Sequence, residues 1–188
     1  MCNFFEENGI KSKGVDISKD MLNIARKNYP EIEFIHSDII TYEDNNQYDF
    51  ITCIDDALNY ILDMDDLKTI FNNVNGWLCD GGYFVFDLNM GNLLPETVVK
   101  QLNEDSKIVY NFKILENGLV RAITYYYEND KLIWQHEDYD ERVYNTEDVI
   151  TLLNDTGFVL ERCGQEFYHD KRHLKLKIVA RKGELMLK

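Results

Sequence analysis

The sequence predicts an α/β chain: a parallel sheet wrapped by helices in the first half, an antiparallel β meander in the second, and a closing helix with two more strands. Three observations predict it. Residues 12 to 90 alternate short apolar runs with helical patterns, which is how the strand and helix units of a parallel sheet read. From about residue 105 the runs become rich in β-branched and aromatic residues and are joined by tight-turn signals, as in an antiparallel sheet. Hydrophobic residues make up 45% of the 188-residue chain and aromatics 13%, with 2 prolines and 10 glycines, a composition that offsets the entropy of ordering one domain's worth of chain.

Each element has a local reason. Lys13-Gly14-Val15-Asp16-Ile17 is the first strand, and Ser18 then stands where an N-cap belongs. Met21, Leu22, Ala25 and Tyr29 recur on one helical face until Pro30 stops the pattern. Ile32 to His36 and Asp49 to Ile54 are the next strands. Leu67, Ile70, Phe71, Val74 and Leu78 follow at spacings of three and four, an amphipathic helix. Asp80-Gly81-Gly82 supplies a turn before Tyr83-Phe84-Val85-Phe86, which lacks polar alternation and is expected to be buried on both faces. Lys107 to Leu115 and Leu119 to Tyr127 are strands joined through the hairpin signal Asn117-Gly118, and Lys131 to Tyr144 completes a meander. Asn145 caps a helix carrying Val149, Ile150, Leu152 and Leu153, closed by Gly157 at a left-handed position. Phe158 to Cys163 and Leu174 to Arg181 are the last strands, the second alternating Leu174, Leu176 and Ile178 with Lys175, Lys177 and Val179.

Charge narrows the partners. The chain has 34 acidic and 20 basic residues, a formal charge of -14, which repels nucleic acid and anionic membrane and leaves cations and neutral polar ligands. No apolar stretch approaches the ~20 residues of a membrane span, and Met1 to Gly9 lacks a signal-peptide pattern, so a cytoplasmic location is expected. Cys2, Cys53, Cys79 and Cys163 form no C-x-x-C pair and read as reduced thiols. His169 and His173 are four apart, but Asp170, Lys171 and Arg172 between them read as an exposed turn, and no metal is expected.

Acids recur where apolar strands end: Asp16, Asp38, Asp55 with Asp56, and Asp87. Ligands of open parallel sheets bind at those carboxyl ends. Converging carboxylates repel one another, so a site built from them favours a cation, an amine or a sugar diol. The plainer reading, that the acids cap the helices following each strand, stands beside this for Asp55, Asp56 and Asp87.

Lys13 to Ser18 with Met21, Leu22 and Ala25, then His36-Ser37-Asp38-Ile39, then Tyr48 to Cys53, then Leu78 with Gly81-Gly82 and Tyr83 to Asp87, resemble class I S-adenosylmethionine-dependent methyltransferases. The stretch from Glu137 to Gly157, with Arg142, Tyr144, Leu152-Leu153 and Gly157-Phe158, resembles their small-molecule branch. The resemblance implies a Rossmann-like, mostly parallel sheet with a C-terminal antiparallel strand pair and an inserted antiparallel meander. It divides the chain into a cofactor-binding core at 1–99, an insertion or lid at 100–144, and a C-terminal helix and strands at 145–188.

It also implies S-adenosyl-L-methionine as cofactor. Asp16 would accept both ribose hydroxyls, Ile17 and Met21 would lie near the adenosine, and Asp38 would accept from the adenine amine with Ile39 beside it. Ile54 and Asp55 would flank the cofactor as well. Asp56, Asn59, Tyr60, Asp87, Asn89, His136 and Tyr144 are implied on the side of a small-molecule acceptor, with Asp56, His136 or Tyr144 as candidate bases. Tyr125, Tyr126 and Tyr127 either line an acceptor pocket or pack. Monomer and homodimer are both open.

The family's first strand and the acidic, glycine-rich loop after it have no counterpart here. The chain is therefore expected to be N-terminally incomplete, with two strands facing a gap or pairing with each other, and to bind cofactor weakly or not at all. Two other classes are weighed: an NAD(P)-type dinucleotide-binding oxidoreductase, disfavoured by the absence of G-x-G-x-x-G and Tyr-x-x-x-Lys, and a non-catalytic binding or dimerisation remnant.

Overall fold

A computed structural model describes residues 1–89, 97–115, 118–168 and 173–183, without the side chains of 137–139, 166–168 and 173–174. Asn117, His169 and the turn at 170–172 lie outside the described residues, as do the side chains of Glu137 and His173. The chain divides into two units, Met1–Asn45 and Asn46–Lys188.

The first unit consists of helix α1 (Cys2–Glu7), strand β1 (Lys13–Asp16), helix α2 (Lys19–Asn28) and strand β2 (Glu33–His36). Ser18 caps α2 as its sequence position indicates, its side chain accepting from the Met21 amide. β1 and β2 pair in parallel, Asp16 opposite His36. Leu22 and Ile32 are buried, whereas Met21, on the face expected to be apolar and covered, is 60% exposed. The loop after β2 is tied back to the start of β1: Lys13 Nζ lies 2.5 Å from Asp44 Oδ2, which also accepts from the Tyr42 hydroxyl at 2.5 Å.

The second unit carries two four-stranded sheets. In the first, strand β3 (Tyr48–Cys53), strand β4 (Leu78–Asn89), strand β10 (His173–Lys182) and strand β9 (Phe158–Tyr168) lie in that order. β3 and β4 are parallel, and the C-terminal pair is antiparallel. Among the described strands the two parallel pairs are hydrogen-bonded within separate sheets. Among the described strands β1 pairs with β2 alone and β3 with β4 alone, so each has one edge without a strand partner.

Helix α3 (Met64–Trp77) covers this sheet with the face its periodicity announces: Leu67, Ile70, Phe71 and Val74 are all buried. Phe71 meets Phe84 edge to face at 5.7 Å and Phe86 at 5.4 Å, and Phe84 lies 5.9 Å from Phe158. Such aromatic pairs contribute about 0.5–1.5 kcal/mol each beyond their buried area. Tyr83 to Phe86 are not buried on both sides, however. Phe84 and Phe86 are fully buried while Tyr83 is 41% exposed, because α3 and Phe158 pack one face of β4. The glycine turn lies inside the strand: Tyr48 pairs with Leu78 and Phe50 already with Tyr83, so the intervening residues bulge at Gly81, whose φ is +76°. Helix α4 (Thr146–Asp155), capped by Asn145 and followed by Gly157 at φ +84°, precedes β9 as the sequence indicates.

The second sheet is antiparallel in the order β5 (Thr97–Gln101), β6 (Ser106–Ile114), β7 (Leu119–Glu128) and β8 (Lys131–Arg142). The meander therefore has four strands, not three. β5 went unread because its run, Thr97-Val98-Val99, is short and ends in Lys100 and Gln101. Tyr126 stacks on Trp134 at 5.9 Å and Tyr125 lies 6.4 Å from Tyr127, so these aromatics pack within the sheet.

Gly14 is where β1 is least tolerant. A Cβ there would stand 2.8 Å from the Phe34 ring of β2. G14A is expected to destabilise the chain by about 1–3 kcal/mol, as overpacking does, and F34L in the same chain to recover part of that loss. Urea unfolding of the two variants and of wild type checks this.

Candidate ligand-binding site

In the first unit, Asp16 and Asp38 leave the carboxyl ends of neighbouring parallel strands. The Ser37 amide donates to the Asp16 carbonyl at 3.1 Å, which ties the two loops together. Each acid caps its own loop with one carboxylate oxygen. Asp16 Oδ1 accepts from the Ser18 amide at 2.7 Å, and Asp38 Oδ1 accepts from the Ile40 amide at 2.9 Å. The second oxygen of each has no hydrogen-bond partner among the described residues. Ile17, 67% exposed, and Met21 stand beside this rim, with Ile39 half-buried in the loop after β2. His36, which the sequence reading quoted in the resembling stretch without giving it a role, places Nε2 2.9 Å from the Ile17 carbonyl oxygen and holds that loop. Its signal was only its place at a strand end.

In the second unit, the parallel pairing of Cys53 with Phe86 brings the loop after β3 level with Asp87. Asp55 and Asp56 both take left-handed backbone, φ +61° and +62°, which costs roughly 1–2 kcal/mol per ordinary residue and less for aspartate. The Asp56 amide donates to Asp87 Oδ1 at 2.8 Å. Lys175 of β10 reaches the same point: its Nζ lies 2.6 Å from Asp56 Oδ1, 3.9 Å from Asp87 Oδ2 and 4.0 Å from Asp55 Oδ1. Lys175 is 3% exposed, whereas the Asp55 side chain is 68% exposed. Burial pushes the Asp56 carboxyl up, and Lys175 opposes that shift in part. Burial, with the Asp87 charge nearby, also pushes the Cys53 thiol up to about 12, so it stays protonated at neutral pH.

The chain then runs through a short 3-10 helix, Ala57–Tyr60, that is stitched to its neighbours. Asn59 is fully buried and uses its amide as a strand would. Its Oδ1 accepts from the Asn89 amide at 2.9 Å, and its Nδ2 donates to the carbonyls of Asn89 at 3.2 Å and Arg142 at 2.8 Å. Asn89 Nδ2 donates onward to the buried Glu141 at 3.2 Å. Arg142 Nε donates to the Leu62 carbonyl and the Tyr144 hydroxyl to the Ile61 carbonyl. Burial pushes the Tyr144 phenol above its usual range, so it is a donor here.

Asp56, Asn59, Asp87 and Asn89 thus belong to one bonded network, the Asn59 amide donating to the Asp56 carbonyl at 2.8 Å, and Tyr144 fastens the same loop at Ile61. Lys175 and Glu141 are members the sequence reading did not offer, and Arg142 stood there only within the resembling stretch. Ile54 is half-buried next to the turn, Tyr60 is 38% exposed, and His136 lies exposed on β8 opposite Thr124. Lys175 went unread because strict Leu and Lys alternation reads as a solvent face. No described helix is long and apolar enough to cross a membrane.

Residues 1–82 match the family model of the methyltransferase domain. The protein YqeM of Bacillus subtilis (strain 168) is 24% identical over 177 residues, 86% of this chain and 70% of that protein. Among solved structures, an S-adenosylmethionine-dependent methyltransferase from Clostridium acetobutylicum ATCC 824 aligns over 91% of this chain and 74% of its own, at 24% identity and a TM-score of 0.75. The CcbJ methyltransferase from Streptomyces caelestis aligns over 94% and 76%, at 15% identity and a TM-score of 0.78. CalS10, an amino pentose methyltransferase from Micromonospora echinaspora solved with S-adenosylmethionine bound, aligns over 90% and 73%, at 15% identity and 0.72.

The raised Asp56 carboxyl has a thermodynamic sign. The folded chain holds this proton more tightly than the unfolded chain, so the Asp56 contribution to stability falls as pH rises from the ordinary carboxylate range through the raised value. Urea unfolding followed across that window is expected to show wild type losing stability relative to D56N as pH rises; parallel curves would contradict it.

Proposed function

We propose that this chain, which has the class I S-adenosylmethionine-dependent methyltransferase fold, binds the nucleoside of S-adenosyl-L-methionine on its first unit and serves methyl transfer to a small-molecule acceptor. The observation that carries the reading is the pair Asp16 and Asp38. Two carboxylates stand at the carboxyl ends of adjacent parallel strands, each with one oxygen occupied by its own loop and the other uncommitted among the described residues. Exposed Ile17 and Met21 lie alongside.

That arrangement suits a ligand with polar edges and a flat apolar face. Asp16 accepts from a hydroxyl pair, which a carboxylate does better than an amide, and Asp38 accepts from an amine edge. Ile17 and Met21 cover the ring. When bound, the cofactor supplies a methyl group on a sulfonium that departs without acid assistance. The chain's own residues then have to orient the acceptor and exclude water from its path. On the second unit, the loop after β3 with the exposed Asp55 and Tyr60 is the region we assign to ligand contact, with Asp56, Asn59, Asp87 and Asn89 holding it from behind. An amine or sugar hydroxyl is the acceptor class that its acids favour. The methyltransferase domain match at 1–82 supports the reading.

Titration of isotope-labelled protein with S-adenosylmethionine is expected to shift the amide resonances of 16–18 and 38–40. This readout registers even millimolar affinity. D16N preserves an oxygen for the Ser18 amide but loses the charge, and is expected to weaken binding by about 10- to 100-fold, the worth of about 1.5–3 kcal/mol for hydrogen bonds to a charged group. Unmoved resonances at saturating cofactor, with shifts from NAD at the same sites, would hand the assignment to the dinucleotide class.

A further inference from the structure

Lys175 is, among the described lysines, the buried one, and it comes from the far end of the chain to a turn that follows β3. Its register explains how. Lys175 pairs with Asn89 and Lys177 with Asp87, so Lys175 shares the face of β4 that carries Asp87 and Asn89 and lies opposite the aromatic core. Its ammonium is within 4.0 Å of three carboxylates and closest to Asp56, whose backbone is left-handed and whose amide is held by Asp87.

We propose that Lys175 is a positioning residue. It locks the left-handed Asp55–Asp56 turn through Asp56, and so holds the exposed side chain of Asp55 in place for a ligand. The steric side of this stands on geometry alone; that the ligand belongs to methyl transfer rests on the reading above. The site is consequently less anionic than its aspartates suggest. One lysine charge offsets one of the three carboxylates, and an incoming amine meets what remains through the exposed side chain of Asp55.

The test uses amide hydrogen exchange together with S-adenosylmethionine titration on K175M, K175R, D55N and the double variant D56N/K175M. In K175M the Asp56 amide is expected to exchange about 100-fold faster, with the amides of Phe71, Phe84 and Phe86 unchanged, because the turn opens locally. Cofactor affinity is expected to fall about tenfold, and K175R to restore both to within about threefold. D55N is expected to lower affinity by a similar factor while Asp56 stays protected.

Should K175M fail to fold, the double variant decides, since it removes the ammonium together with its nearest partner and is expected to show the same released amide. Wild-type exchange at Asp56 in K175M or in the double variant overturns the proposal. So does acceleration of the Phe84 and Phe86 amides to the same degree, which marks a lysine that holds the whole sheet. A wild-type chain whose resonances ignore the cofactor sinks the methyltransferase reading instead, and the exchange data still decide the role of Lys175.

Discussion

The alternation of side chains along β4 is the constraint on which the second unit depends. Successive residues of a strand point to opposite sides, and β4 uses this to keep two incompatible environments one residue apart. Phe84, Phe86 and Leu88 face the aromatic core, alongside Ala180, Ile178 and Leu176 of β10 in direct register. Asp87 and Asn89 face the other way, with Lys175 opposite Asn89. A slip of one residue between β4 and β10 would drive Lys175 among the phenylalanines and expose Ile178. The cost of burying an unpaired ammonium in an apolar core fixes the register. The apolar face of the sheet therefore sets the geometry of the polar face.

The two groups of carboxylates are handled differently. Asp16 and Asp38 are at a rim, each supporting its own loop through a backbone amide, and no described ion pair involves either. Asp56 and Asp87 are largely withdrawn from water, and such charges persist in a fold only when paired and hydrogen-bonded. Asp56 has Lys175; Asp87 has the Asp56 amide and, more distantly, the same lysine. Acids that look alike in the sequence, each following an apolar run, divide into those available to a ligand and those committed to the structure.

Much of the fold was legible because its signals are local. The three- and four-residue spacing of Leu67, Ile70, Phe71 and Val74 is the buried face of α3, and Ser18, Asn145 and Gly157 do at the helix ends what their chemistry suits them for. What was not legible depends on partners far along the chain. Asn59 carries no periodic signal, because its three backbone contacts lie at Asn89 and Arg142. Lys175 sits in a pattern that means solvent unless one knows that acids await it on the neighbouring strand. The expectation of Met21 on a covered face failed for a related reason: helical spacing tells which residues share a side, not whether that side is covered. Asp16 and Asp38 were legible as strand-end acids, but their use of one oxygen each for capping needed coordinates.

The polar network also bears on how a methyl transfer would be run here. Two of the groups that sequence reading offered as bases are occupied. Tyr144 donates its hydroxyl to the Ile61 carbonyl and is pushed toward its protonated form, and Asp56 is paired with Lys175. A reaction that needed strong proton abstraction would spend such groups poorly. Transfer from a sulfonium makes a smaller demand, because alignment of nucleophile, methyl and sulfur supplies most of the acceleration. Rigidity is then the useful property. Asn59, Arg142 and Tyr144 fasten the stretch from Asp56 to Leu62 at separate points along β8 and just beyond it, which fixes the loop that would face an acceptor. On the proposed reading, an acceptor amine delivered uncharged, or a proton passed to solvent past the exposed Asp55, would complete the chemistry without either of those two residues as a base.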